Sequence, residues 1–209
     1  MSNHFIRLYE TRKAFHFMGD DLSEIDILDI SKGLSQVNRY TGHTKQAYSV
    51  AEHSIHVASL LPPELQIYGL LHDASEAYLN DISSPLKNLL PDYRAIEEHV
   101  QNKVWMAFGL DPKVVAEIYP IVKAADWKML LAEMKTICPD DYAVFKDGGD
   151  TLVAEVEAHP ILKDPEFPFY VSSQIACGVF RKVFRKLNEG VYLEGPFSSM
   201  TEMTKYLMK

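Results

Sequence analysis

Apolar residues recur at helical spacing along most of the chain. Ile27, Ile30 and Leu34 mark one stripe and predict a helix over 25–36. Ala51, Ile55, Ala58 and Leu61 predict a second over 49–61, which Pro62-Pro63 ends. The stretch 64–78 is apolar on most sides and predicts a buried central helix. Ile96, Val100, Val104 and Phe108 predict a helix over 91–108. A long helix over 113–135 follows, with Pro120 as its expected kink or split. Residues 140–158 read as partly helical, interrupted at Gly148-Gly149, and 172–187 as a basic amphipathic helix. Strand signals are weak. Phe15-His16-Phe17-Met18 reads as a short strand or an irregular start, and 189–209 shows only that Tyr192, Phe197 and Tyr206 should pack somewhere. The expected fold class is all-α.

Composition narrows the picture. With 209 residues and 47% apolar content, the chain suits one domain with a sizeable core. A formal charge of -8 argues against a surface that coats a nucleic-acid polymer, but not against a small anion held by local cations. Cys138 and Cys177 form no CxxC pair, and two cysteines make no disulfide framework. The first ten residues lack an apolar signal core, and no apolar run approaches the roughly 20 residues of a membrane helix. A cytoplasmic protein with no membrane partner is the expectation.

The informative chemistry lies in Leu70-Leu71-His72-Asp73-Ala74-Ser75-Glu76-Ala77. An apolar run carries an imidazole and a carboxylate towards the interior, where a charge needs a partner. A divalent metal supplies one, because both groups are good ligands. His53 stands on the preceding predicted helix, and Asp126 follows a small apolar run in Val122-Lys123-Ala124-Ala125-Asp126. His53, His72, Asp73 and Asp126 together form a ligand set that would leave positions open for water or a phosphate oxygen. Asp126 alone is equally explained by pairing with Lys123 or Lys128. Glu76, a turn beyond the His72-Asp73 pair, is placed to orient water or take its proton. Asp81 is a second carboxylate for proton transfer, although Asn80-Asp81 also suits a turn. Arg39 and Lys87 have the character of phosphate ligands, and Tyr40 could stack on a base or a sugar. Taken singly, each of these three reads rather as a surface charge or a half-buried ring.

These residues carry a resemblance. Asn38-Arg39-Tyr40, Ala51-Glu52-His53-Ser54, His72-Asp73-Ala74-Ser75-Glu76, Asp81, Pro85-Leu86-Lys87 and Ala125-Asp126 resemble the HD-domain metal-dependent phosphohydrolases. The likeness is strongest to the bacterial 5'-deoxynucleotidases and the phage dATP triphosphohydrolases, and it spans about 25–135. It implies a single HD-domain helical bundle over 1–209, with the C-terminal helices packed on that core. It implies that His53, His72, Asp73 and Asp126 bind a divalent ion (Zn, Co, Mn or Mg), that Glu76 and Asp81 manage water and protons, and that Arg39 and Lys87 hold phosphate oxygens. The implied activity is hydrolysis of a deoxynucleotide, with dATP giving deoxyadenosine and triphosphate. A homo-oligomer is implied too, and a host cytoplasm if the chain is phage-encoded. The deoxynucleotidases usually carry Trp where this chain has Tyr40.

The nearest alternative is a 5'-deoxynucleotidase acting on monophosphates, since the chemistry at phosphorus is nearly the same. A cyclic-dinucleotide phosphodiesterase would carry a Gly-Tyr-Pro motif, which Ala74-Ser75-Glu76-Ala77-Tyr78 does not offer. A di-iron oxygenase would need further histidines. His56, three residues after His53, reads as packing. From another class comes a non-catalytic nucleotide-binding module stapled by its metal. The remaining histidines read as surface or packing residues. Met106, Met129 and Met134 read as core filler, and Arg181, Lys182, Arg185 and Lys186 as a solvated or subunit-contacting helix face.

Overall fold

The computed structural model describes residues 4–149, 151–159 and 167–208. The expected helical stretch 140–158 and the terminal segment 189–209 each include one position outside these, 150 and 209. The architecture is all-α apart from an N-terminal hairpin. In that hairpin β1 (Phe5–Arg7) pairs antiparallel with β2 (Ala14–His16), Ile6 opposite Phe15. Phe15 is fully buried and stacks on Tyr78, ring centroids 4.0 Å apart. A buried ion pair pins the hairpin: Lys103 Nζ donates to Glu24 Oε2 at 2.6 Å and lies 4.7 Å above the Phe15 ring.

The helices follow in order: α1 (Ile27–Leu34), α2 (Val50–Ser59), α3 (Gln66–Leu71), α4 (Glu76–Leu79), α5 (Ser84–Lys87), α6 (Pro91–Ala107), α7 (Pro112–Ile137), α8 (Pro139–Asp147), α9 (Thr151–Ala158), α10 (Ser173–Asn188) and α11 (Met200–Met208). Side chains cap several of them. The Asp26 carboxylate accepts from Leu28 N, and Ser49 Oγ from Glu52 N. Such a cap stabilises a helix by about 1 kcal/mol.

Three expectations need correction. The predicted helix over 64–78 is broken: α3 stops at Leu71, residues 72–75 form a turn, and α4 resumes at Glu76. The helix buried along its whole length is instead α2, even though it carries Glu52, His53, Ser54, His56 and Ser59. Helix α7 runs through Pro120 without a split, the missing N–H being one lost bond in a 26-residue helix. Smaller differences concern single side chains. Met106 and Tyr192 are half exposed, not packed inside.

Helix α2 separates two apolar clusters. The larger joins α1, α3, α6 and α10, the last burying Ala176, Val179, Phe180, Val183 and Leu187 along one stripe. The smaller gathers Val57 and Leu61 with Val122, Met129, Leu131 and Phe167. Each fully buried aliphatic or Phe side chain stabilises by about 1.5–3 kcal/mol. Helices α2 and α3 approach closely because Gly69 has no side chain. A Cβ there would meet Leu61 Cδ1 at 2.5 Å and Ala58 Cα at 3.0 Å. That approach brings His53 beside the turn that follows α3.

Candidate metal centre

His53 sits in the buried α2, and its ring is held from behind. Nδ1 lies 2.6 Å from Glu133 Oε1 on α7. A carboxylate accepts, so Nδ1 carries the proton and Nε2 presents a lone pair. His72 is held in the same way. Its Nδ1 donates to the Gly69 carbonyl at 2.8 Å, and its Nε2 turns towards His53. The two rings have centroids 5.3 Å apart.

Carboxylate oxygens meet these two lone pairs. Asp73 Oδ2 lies 3.1 Å from His72 Nε2 and 3.9 Å from His53 Nε2. Asp126 Oδ1 lies 3.1 Å from His53 Nε2 and 3.7 Å from His72 Nε2. One ligand atom each from His53, His72 and Asp73 fall within 4.8 Å of one another, so this group could hold a metal ion. Buried His72 Nε2 has no hydrogen-bond partner among the described residues. Acceptors facing acceptors repel unless a cation or a proton lies between them. The residues therefore fit a divalent ion.

The ionisation states agree with that crowding. Burial alone would lower the His72 pKa, but the Asp73 and Asp126 carboxylates outweigh it and hold the imidazole well above its usual value. Burial raises Asp126 and Asp73, yet the two imidazoles bring both below the ordinary carboxylate range. Lys123 Nζ donates to Asp126 Oδ2 at 2.5 Å, leaving Oδ1 for the histidines. The pairing of Asp126 with Lys123, weighed from sequence as an alternative, thus coexists with its contacts to the two histidines.

Behind the ligands lies a hub that the sequence reading missed. Glu133 is fully buried and accepts from His53 Nδ1, Tyr48 Oη at 2.8 Å, Tyr40 Oη at 2.9 Å, Arg39 Nη2 at 3.0 Å and Arg39 Nε at 3.2 Å. Burial would raise its pKa, but Arg39 and His53 bring it down to about 2. The signal for it was a lone carboxylate in Met129-Leu130-Leu131-Ala132-Glu133-Met134, seven residues after Asp126 and so on the same face of α7.

Arg39 thus faces two ways, gripping Glu133 while its Nη1 lies 3.9 Å from Asp73 Oδ2. Tyr40 turns its hydroxyl inward to the hub. It occupies a left-handed turn, with φ of 56° at Tyr40, 53° at Thr41 and 78° at Gly42. For the two non-glycine residues this conformation is strained, and such strain persists only where neighbours over-determine it. Here Arg39 N donates to Tyr48 O at 2.9 Å and Glu133 holds Arg39 and Tyr40.

Glu76 opens α4 and is buried. Lys87 Nζ is 3.4 Å from its Oε1, and its buried Oε2 has no hydrogen-bond partner among the described residues. Burial, then Asp73 and Asp81, push its pKa well above the usual carboxylate value. Asp81 is raised as well, by burial and by Asp73, against the opposing charge of Arg39. Lys87 is shared with Glu97, to which it donates at 2.5 Å. Burial alone would lower its pKa, but Glu76 and Glu97 raise it above the ordinary lysine value. The structure thus brings His53, His72, Asp73, Asp126 and Arg39 within 4 Å of a neighbour in the set, with Tyr40 joined through Glu133 and Lys87 through Glu76.

The sequence matches no family profile. Over 134 residues it is 40% identical to the uncharacterized protein YfdR of Escherichia coli strain K12, a match that covers 63% of this chain and 73% of YfdR. The chain belongs to the YfdR family. A second similar protein, the uncharacterized RCAP_rcc00048 of Rhodobacter capsulatus, is 36% identical over 113 residues. That match covers 49% of this chain and 58% of the Rhodobacter protein. No helix among the described residues is long and apolar enough to cross a membrane.

Proposed function

We propose that this chain is an HD-domain metal-dependent phosphohydrolase acting on deoxynucleotides, with dATP cleaved to deoxyadenosine and triphosphate. One observation carries the reading: the Nε2 atoms of His53 and His72 converge on oxygens of Asp73 and Asp126, each ring fixed by its own Nδ1–H. His53, His72, Asp73 and Asp126 would hold the ion. A divalent cation there supplies Lewis acidity, polarising a phosphoryl oxygen and making water a better nucleophile at neutral pH. Glu76, with one unpartnered buried oxygen and an elevated pKa, orients the attacking water and accepts its proton at Oε2. Lys87 and Arg39 offset the charge that grows on the phosphate oxygens. Lys123, which sequence reasoning did not put to this use, adds a third cation at the edge of the set.

A second reading, a 5'-deoxynucleotidase on monophosphates, draws on a specific observation. Arg39 and Lys87 are already engaged by carboxylates, buried Glu133 for the one and half-buried Glu97 with buried Glu76 for the other. That leaves less free positive charge for a triphosphate than a count of cations suggests. Product analysis decides between them. The purified chain is incubated with deoxy- and ribonucleoside mono-, di- and triphosphates in Mn²⁺, Co²⁺, Zn²⁺ or Mg²⁺. Triphosphate released from dATP supports the first reading, and phosphate released from dAMP the second. Tight nucleotide binding without turnover in any metal would point to the non-catalytic module.

A further inference from the structure

Neighbouring residues on an α-helix diverge by about 100° around the axis and do not face one another. An unbroken helix over 64–78 would therefore send His72 and Asp73 in different directions. In the structure His72 Nε2 and Asp73 Oδ2 are 3.1 Å apart, within the break between α3 and α4. Two side chains account for the opening. The His72 ring takes the Gly69 carbonyl, which the Asp73 N–H would use in a continuous helix. Gln101, reaching across from α6, takes both ends of another helical bond. Its Oε1 accepts from Ser75 N at 2.9 Å and its Nε2 donates to Leu71 O at 2.9 Å. Ser75 N and Leu71 O are the pair that an α-helix would join directly. The backbone between them closes instead into tighter turns, Ala74 N to Leu71 O at 3.0 Å and Glu76 N to Asp73 O at 3.0 Å.

We propose that Gln101 is the positioning residue of the His72–Asp73 pair: its carboxamide is wedged into one helical turn and keeps that turn open so that both side chains meet the same ion. The two bonds need one donor and one acceptor at fixed spacing, which a carboxamide supplies and neither a carboxylate nor a hydrocarbon does. Gln101 touches neither ligand, so it acts through backbone geometry alone. The proposal rests on the reading of this group as a metal centre.

The test uses the full chain and Mn²⁺ affinity measured by titration calorimetry, with thermal melting followed in parallel. Gln101→Met has the same reach without polar atoms. It should fold and melt cooperatively yet bind Mn²⁺ about 10–100-fold more weakly, the range found when groups supporting metal ligands are removed. Val104→Ala, on the same helix and in the core, should lose stability but keep the native affinity. If Gln101→Met binds Mn²⁺ as tightly as the native chain, or if Val104→Ala weakens binding equally, the proposal is overturned while the metal centre stands. If the native chain binds no divalent ion, the metal reading itself fails and this one with it. Hydrogen exchange on the native protein covers the case of a variant that does not fold. The Ser75 amide and the Gln101 side-chain amide should both be protected, and exchange at the free rate would overturn the proposal.

Discussion

Glu133 and His53 stand 80 residues apart in the chain and 2.6 Å apart in space, the carboxylate taking the imidazole Nδ1 proton and so fixing which nitrogen faces the candidate metal centre. The same carboxylate neutralises the buried Arg39 guanidinium, so ligand orientation and core electrostatics share one residue. Glu133→Gln should weaken Mn²⁺ binding by about 10–100-fold, as expected when a group orienting a metal ligand is lost. It should also destabilise the chain by about 3–5 kcal/mol, because Arg39 loses its main buried counter-charge. Calorimetric titration and urea unfolding measure the two effects, and an unchanged affinity would remove Glu133 from the orienting role.

Glu76 is expected to behave in the opposite way. It lies outside the group that could hold the ion, and its carboxyl is buried with a raised pKa. Glu76→Gln should leave Mn²⁺ affinity and melting temperature close to native. Hydrolysis of the best substrate should fall roughly 10²–10⁴-fold if the group is the general base. Intact turnover would exclude it.

Occupation of the centre should appear as stability. A ligand present at 100 times its dissociation constant and bound only by the folded state adds about 2.7 kcal/mol. Melting temperature should therefore rise with Mn²⁺ or Zn²⁺ and fall on chelation. His72→Ala should abolish that response, and a persisting metal-dependent shift in the variant would place the ion elsewhere.

His56 predicts an acid-sensitive core. Both its ring nitrogens are buried without hydrogen-bond partners among the described residues, between Phe167 and Phe169. Burial lowers its pKa from 6.5 to about 3. Above pH 6.5 the ring is neutral whether folded or unfolded, and it contributes no pH dependence. As pH falls from 6.5 towards 3, the unfolded chain takes up a proton that the folded chain refuses, and stability is lost. The loss amounts to about 2 kcal/mol by pH 5. His56→Leu should remove that part of the slope, so the stability difference between variant and native should widen on acidification. Parallel urea titrations at pH 7 and pH 5 measure it, and equal differences at the two values would refute the assignment.

Gly69 tests how tightly the fold sets the site. Its α-carbon packs against Ala58 and Leu61 of the α2 region, and its carbonyl orients His72. Gly69→Ala should push α3 from α2 and destabilise the chain by roughly 1–3 kcal/mol, as overpacking does. Because α2 carries His53, Mn²⁺ affinity should fall in the same variant. A stability loss with full affinity would show that the ligands tolerate the displacement.

Much of this was legible in the sequence. Ser49 and the apolar spacing after it marked α2 to within two residues, and the stripe over 172–187 marked α10. His72-Asp73 showed as polar residues inside an apolar run. Two kinds of information were not legible. Helix α2 is polar in composition, so periodicity assigned the central position to 64–78; its polar groups are tolerated inside because partners distant in sequence satisfy them, as Phe169 N and Val171 N do for Glu52. The break after Leu71 was hidden as well. No Gly or Pro stands between 70 and 78 to signal a break, and the competing acceptors and donors come from a ring three residues away and from Gln101 on another helix.

Asp126 and Glu133 sit two turns apart on the single rod of α7. Spacing along that rod is therefore itself under constraint, independently of either side chain's chemistry. One residue inserted or deleted between them would swivel one carboxylate by about 100° relative to the other. Six residues, neither more nor fewer, should lie between these two acids in any homologue that keeps the same arrangement, even where the intervening letters have all changed.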